Sequence, residues 1–485
     1  MTALHFLPAA AIARRIRSGS LSAADALESA LERQQALHGH LNAVVVTDLA
    51  AARKAARAID RAIGPGERPG PLAGVPMTVK ESFDVAGLPT TWGLEHRKNN
   101  IAQRDSAVVE RLRAAGAVIW GKSNVPVLLA DWQTHNPLYG TTCNPWDTGR
   151  TPGGSSGGGA AALAAGITAL EYGSDIGGSI RNPAHYCGVY GHKTTYGIVP
   201  VRGHALPGTW AATDMSVLGP LARSAKDLEL ALRMTAGPDG AERGVFRLSL
   251  PSPAFTAFRG LRIAVLTGAA VAPVSTAVSG ALAALAGFLS RQKARIDLQP
   301  ALPFDPFEHD RLYVLLRRAA TSMRAHDDVS FAKLLTERDA LDPADRSYRA
   351  EQVRGNTLFH RDWLRLNNER HRLRAAWADF FHRYDLLLCP AAAGTAFPRN
   401  PAGQRWERAI DVDGTPQPDT TQIYWMGMAS VSQLPATVAP VAIAADGLPV
   451  GVQIIGPQYA DLSTIRFAQL LEREYHAFHP PADCP

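Results

Sequence analysis

One stretch constrains this chain more than any other. Gly153-Gly154-Ser155-Ser156-Gly157-Gly158 is followed by the small-residue run Ala160 to Ala165, and then by Asp175-Ile176-Gly177-Gly178-Ser179-Ile180-Arg181. Glycine loses more conformational freedom on folding than any other residue. It is therefore expected where backbone must approach another group closely or adopt a left-handed conformation. Two readings follow. One is a pair of tight turns flanking a close-packed helix. The other is a nucleophile loop whose bare N–H groups face a reacting carbonyl oxygen. The stretch alone does not choose between them.

Composition removes several function classes. The net charge is only +6, from 50 basic and 44 acidic residues. The densest basic run, Arg361 to Arg374, is interrupted by acids and asparagines. A nucleic-acid footprint is a concentrated patch, so no nucleic-acid partner is expected and the run reads as a solvated helix face. Cys143, Cys187, Cys389 and Cys484 are far apart and form no CxxC pair. That argues against a disulfide framework and points to a reducing compartment. His185, Cys187 and His192 are close in sequence but lack a second ligand pair, so no metal and no cofactor is expected. Arg14, Arg15 and Arg17 follow the first apolar residues, which is not a secretory signal. No apolar run approaches the ~18 residues of a membrane helix. The expectation is a cytoplasmic protein, monomer or homodimer, with no membrane partner.

Strand and helix signals alternate. Strands are expected at Leu41 to Thr47, Val75 to Val85, Ala117 to Gly121, Leu261 to Leu266, Ala294 to Leu298, Asp385 to Leu388, Ala436 to Ile443 and Val450 to Ile455. Helices fall between them, with Ser22 a good N-cap for one. Alternation of this kind indicates an α/β fold built on a central sheet. Residues 300–383 differ, being helical, Arg-rich and strand-poor. They read as a helical excursion that covers the sheet. With no internal repeat and no long linker, residues 1–485 are expected to form a single domain.

Two lysines carry competing chemistry. Gly116-Ala-Val-Ile-Trp-Gly121-Lys122-Ser123 satisfies the phosphate-loop pattern GxxxxGK[ST]. The pattern needs a flexible loop between its glycines, whereas Ala-Val-Ile-Trp is an apolar, strand-forming run. A nucleotide-binding protein is the alternative of another class. Lys80 lies in an alternating strand whose apolar neighbours suggest a sheet interior. Burial disfavours the ammonium form, and a neutral lysine is a competent base for a serine hydroxyl.

These features together resemble the amidase signature family. The resemblance rests on GGSSGG at Gly153 to Gly158 followed by DIGGSIRNP at Asp175 to Pro183. Pro71-Leu-Ala-Gly-Val-Pro-Met-Thr-Val-Lys80, Gly121-Lys-Ser-Asn124, Asn144-Pro-Trp146 and Gly447-Leu-Pro-Val-Gly-Val-Gln-Ile-Ile-Gly456 also match. It covers nearly the whole chain, with little of it in 240–385. The resemblance implies a single amidase domain with a twisted mixed sheet covered by helices on both faces. Its signature core would span about 71–235, the helical cover about 300–383, and the closing strands and helix about 385–475. It implies Ser179 as nucleophile, Ser155 as a bridging serine on a cis peptide bond, and Lys80 as base. The backbone N–H groups of Ile176, Gly177, Gly178 and Ser179 would form an oxyanion hole, with Ser156, Asp175 and Arg181 in support. The implied reaction is hydrolysis of a small-molecule amide through an acyl-enzyme. One departure is visible: where the family commonly has Lys-Pro after the nucleophile, this chain has Lys193-Thr194-Thr195, and a looser loop is expected. Trp132, Tyr139, Trp210, Met215, Tyr424 and Trp425 are the candidate pocket residues, which would favour bulky apolar or aryl amides, with esters or carbamates as variants. Within the same fold, the alternative is the glutaminase subunit of a tRNA-dependent amidotransferase.

Overall fold

The computed structural model describes residues 3–63, 70–400 and 402–482. Gly64 to Pro71, which the glycine, proline and charge of the sequence mark as a loop, lies largely outside them, and Cys484 lies outside them as well. Eleven strands of the described residues form one sheet. In chain order they are β1 (Val44–Thr47), β2 (Pro76–Lys80), β3 (Val118–Ser123), β4 (Leu170–Asp175), β5 (Tyr190–Lys193), β6 (Val217–Ala222), β7 (Arg262–Val265), β8 (Arg295–Asp297), β9 (Leu386–Pro390), β10 (Ala436–Ile443) and β11 (Pro449–Ile455). Their order across the sheet is β1-β3-β2-β4-β6-β5-β10-β11-β9-β7-β8. β3, β2 and β4 run parallel, as do β9, β7 and β8. The middle pairs, from β4/β6 through β9/β11, are antiparallel. The sheet is therefore mixed, with helices packed on both faces.

Each face carries its own apolar core. On one side Met77, Val79, Tyr172 and Leu218 pack with Leu228, Leu282 and Phe467 of flanking helices. On the other, Ile180, Val438 and Ile455 pack with Tyr313, Trp377 and Trp425. Because the middle strands are buried on both faces, their side chains show no apolar alternation. β4 (LEYGSD), β5 (YGHK) and β6 (VLGPLA) in addition carry glycine, proline or charged residues at buried positions, so the sequence pattern does not mark them, whereas the equally buried β10 and β11 are marked by their apolar runs.

The helical excursion consists of Pro306–Ala325, Asp328–Asp339, Tyr348–Asn356 and His360–Arg383. The first begins with Asp305, whose carboxylate accepts from Phe307 N and Glu308 N, and with proline in its first turn. The basic run of the last is not wholly solvated, as the pattern suggested. Arg370 is buried and holds Asp214 at 2.7 Å, because the helix turns that face inward. The Thr194-Thr195 segment is also tied down rather than loose. Thr195 N and Oγ1 both donate to Asp461, at 2.8 and 2.7 Å, so hydrogen bonds supply the restraint that proline would.

The phosphate-loop match is a strand. Gly121, Lys122 and Ser123 belong to β3 and pair with β1 and β2. Lys122 is buried and donates to Pro89 O and to Thr90 Oγ1 at 3.0 Å. These N–H groups serve the sheet, and no open loop is present to cradle a phosphate.

Gly219 marks how closely the middle strands approach. A Cβ there would lie 2.0 Å from His192 O on β5. Gly219→Ala is expected to destabilise the protein by roughly 1–3 kcal/mol or more, because backbone cannot yield as a side chain can. Gly39→Ala, on an open helix face with nothing within 4 Å, should instead stabilise by about 0.5–1 kcal/mol. Urea unfolding of both variants checks the contrast.

Candidate active site

Lys80 ends β2 with no exposed surface. Its Nζ donates to Ser155 Oγ at 2.7 Å and to Ser174 Oγ at 3.0 Å. Burial pulls its pKa from 10.5 down to about 7; Arg324 acts in the same direction, and Asp175 and Glu171 oppose it. A large fraction is therefore neutral near physiological pH. Glu171, on the neighbouring strand, is pushed up to about 8 by burial, against hydrogen bonds from Thr78 and Ser123. It is largely protonated at neutral pH.

Ser155 follows a cis Gly154–Ser155 peptide bond, as the family resemblance implies. The two glycine loops are stitched together: Ser156 N donates to Ser179 O at 3.0 Å, and Gly154 N to Asn182 Oδ1 at 3.3 Å. Ser179 sits immediately before the Arg181–Cys187 helix and is 6% exposed. Its hydroxyl makes no hydrogen bond among the described residues, so the Lys80–Ser155 contact is formed while a Ser155–Ser179 bond is not.

The loop between β4 and that helix is held by a buried ion pair. Arg181 Nη2 lies 2.8 Å from Asp175 Oδ1, and neither side chain is exposed. Every N–H of the guanidinium has an acceptor: Asp175 from Nε and Nη2, Ser430 Oγ at 2.8 Å, Met426 O at 3.0 Å and Gln453 Oε1 at 2.5 Å. Burial pushes the Asp175 carboxyl up, but Arg181 and backbone N–H donors outweigh it and hold it at about 2. The pair is therefore an internal brace and not a solvated surface contact.

The same carboxylate changes the expected oxyanion hole. Gly178 N donates to Asp175 Oδ1 at 2.9 Å, so it is already engaged. Among the described residues the N–H groups of Ile176, Gly177 and Ser179 have no acceptor. Their orientation is set from outside the loop: Ile176 O accepts from the Tyr313 hydroxyl at 3.0 Å, and Gly177 O from Trp132 Nε1 at 2.9 Å. Gly178 has φ +96°, and a Cβ on it would lie 2.6 Å from Met426 Cγ, so no other residue fits here. Ser156 also differs from expectation. Its hydroxyl is buried without a partner because it is packed over Gly173, whose Cβ would meet it at 2.7 Å.

The aromatic candidates do not converge on one cleft. Trp132 adjoins the loop, but its ring face is covered by Arg405 at 4.6 Å. Trp210 is 90% exposed, at the rim of a surface cavity of about 540 Å³. Met215, with φ +61°, Tyr424 and Trp425 are core residues of the apolar cluster beneath the site. Tyr139 is half-buried; burial, with Glu81 adding, raises its hydroxyl to about 12. Bulky side chains pack first against each other, and sequence cannot tell that from lining a cavity. Ser174, Gln453 and Tyr313 were missed. Gln453 lies inside a family-like stretch and Ser174 abuts Asp175, whereas nothing in the sequence marks Tyr313. His185 and His192 are occupied by Gly394 and Gly451, and by Thr437 and Asp461.

The family model described as Amidase matches residues 25–465. The chain belongs to the amidase family. Like other amidases, it has relatives with more than one job. It is 33% identical to a glutamyl-tRNA(Gln) amidotransferase subunit of Anaeromyxobacter sp. (strain K), over 96% of each chain. It is 32% identical to the indoleacetamide hydrolase of Bradyrhizobium diazoefficiens, over 95% of this chain and 85% of that one. A solved chain from a vestigial protein complex, linked to the evolutionary origins of an s-triazine catabolic enzyme, superposes with TM-score 0.81 at 30% identity. That match covers 98% of this chain and all of the other. The protein is an amide-hydrolysing enzyme of mixed α/β architecture, and among the described residues no helix is long and apolar enough to cross a membrane.

Breaking the buried pair leaves a charge without a partner. Asp175→Asn is expected to cost roughly 3–5 kcal/mol, read by urea unfolding at pH 7. The folded-state pKa of Asp175 lies below the ordinary 3.8. Its stabilising contribution is therefore complete above about pH 4 and is lost as pH falls through about 2. The variant should lack that segment of the stability–pH curve.

Proposed function

We propose that this amidase hydrolyses a carboxamide through an acyl-enzyme on Ser179. The observation that carries the reading is the fully buried Lys80, bonded to Ser155 at 2.7 Å beside a loop of unpaired N–H groups. Rotation of the Ser179 side chain closes the remaining link to Ser155. Ser179 Oγ attacks the amide carbon, its proton passes to Ser155 Oγ, and the Ser155 proton passes to the neutral Lys80 Nζ. The carbonyl oxygen becomes an oxyanion, stabilised by the N–H groups of Ile176, Gly177 and Ser179. Lys80 then returns a proton through Ser155 to the amine nitrogen, the C–N bond breaks, and the amine leaves. Water attacks the acyl ester by the same relay, releasing the carboxylic acid and restoring Ser179. Asp175 and Arg181 brace the loop without touching the reacting atoms.

A second reading, a glutaminase subunit working with partner chains, is favoured by the amidotransferase components found in the comparison with relatives. Ammonia release from simple amides by the purified single chain separates the two. Robust turnover supports the free amidase. Turnover of glutamine only after addition of partner chains supports the glutaminase.

The base must be neutral to accept a proton, so kcat/KM should rise with pH through about 7 and then level off. A profile that peaks in acid overturns Lys80 as base. Lys80→Ala should lower kcat by about 10²–10⁴-fold, and a fluorophosphonate should label Ser179 in the wild type but not in Ser179→Ala, as read by peptide mass.

A further inference from the structure

Three arginines of the Pro306–Ala325 helix, one of them against the glycine loop before Ser179, have no carboxylate partner among the described residues. Arg317 and Arg318 both donate through Nη2 to the Tyr348 hydroxyl at 2.6 Å. Arg317 Nη1 is 3.4 Å from the position a Gly177 Cβ would occupy, which places it against the loop that ends in Ser179. Arg324 lies 5.6 Å over the Trp92 ring and acts on Lys80 electrostatically. Among the described residues no Asp or Glu oxygen comes within 4.0 Å of any of the three. Among those same residues Arg324 donates no hydrogen bond, and Nε of Arg317 and of Arg318 is buried without a partner.

The surroundings differ. Arg311 and Arg354 hold Glu351, Arg349 holds Glu337, and Arg405 holds Asp419. Acidic partners are supplied freely a few residues away and withheld here. Arg317 is only 9% exposed. Burial lowers Arg318 and Arg324 to about 10, which leaves both charged at neutral pH. Asp310 feels Arg317, yet burial pushes that carboxyl up to about 6 and it forms no ion pair. The aromatic faces are occupied by the same guanidinium groups, with Arg317 over Tyr313 and Arg318 over Tyr348, so this wall of the site is cationic. Arg317 is buried while Arg318 and Arg324 are half-buried beside it, so the three like charges are only partly solvated and an anion among them would relieve their repulsion; the arginine fork matches a carboxylate in two hydrogen bonds.

We propose that the substrate is an amide bearing a carboxylate, which Arg317 binds, steadied by Tyr348 and backed by Arg318 and Arg324, while the amide carbonyl occupies the Ile176–Ser179 loop. The proposal rests on Ser179 as nucleophile. It replaces the aryl or apolar preference expected from the aromatic residues.

The test compares malonamate, succinamate and glutaramate with their neutral isosteres isovaleramide, 4-methylpentanamide and 5-methylhexanamide, using the full chain. At least one anionic member should exceed its isostere about 10- to 100-fold in kcat/KM. Arg317→Met should erase that preference mainly through KM, and Arg317→Lys should restore part of it. Arg324→Gln, which leaves no hydrogen-bond partner unpaired, should weaken the preference even if Arg317→Met fails to fold. Neutral amides turned over as well as the anionic ones, or variants that lower both members equally, would overturn the proposal. Labelling of Ser179 by a neutral fluorophosphonate separates the two claims. An unlabelled Ser179 with an active Ser179→Ala variant sinks the nucleophile. If no member is turned over, protection from labelling decides. Protection by the anionic amides at concentrations at least about 10-fold below their isosteres supports the carboxylate site, and equal or absent protection overturns it.

Discussion

Removing the Lys80 amine from water is the constraint on which the site depends. An ammonium group buried without full compensation is strongly disfavoured, and it responds by giving up its proton. The surroundings are poised around that balance. The carboxylate of Asp175 favours the charge, Glu171 is mostly protonated at neutral pH, and Arg324 disfavours it. Two serine hydroxyls receive the Nζ hydrogens. The result is an amine close to its midpoint at neutral pH, held by strand pairing at one end of β2.

The second requirement is a loop that presents N–H groups while its own carbonyls are satisfied. Asp175 and Arg181 provide the frame, and Tyr313 and Trp132 take up the carbonyls of Ile176 and Gly177. A buried ion pair is weak evidence for stability by itself, since desolvation offsets much of the attraction. Here its geometric role is concrete. The guanidinium joins the loop to Met426, Ser430 and Gln453, so one side chain fastens the loop to the Ile423–Ser430 helix and to β11.

The covering helices add side chains beside the loop. They bring Tyr313 onto the loop, and with it Arg317, Arg318 and Arg324. That arrangement fits a family in which amide-bond chemistry is shared while relatives act on different molecules.

Much of the proposed chemistry is legible in the chain because it is written locally. Lys80, Ser155, Ser179, Asp175 and Arg181 stand in short glycine-rich or strand-like segments, and most outer strands and helices follow apolar periodicity. The central strands β4, β5 and β6 were not legible, since they place glycine, proline and charged residues at buried positions where an apolar run would have marked a strand. Nor was the commitment of Gly178 N to Asp175, the isolation of Ser156, or the exposure of Trp210. The sequence by itself determined the residue types able to do acyl transfer and the glycines that let backbone close in on them. Only the tertiary structure decided that Lys80 is dry, which N–H groups stay free, and that Trp132, Tyr313 and Arg317 are set against the loop. Desolvation and hydrogen-bond partnership arise between segments hundreds of residues apart, and no local pattern records them.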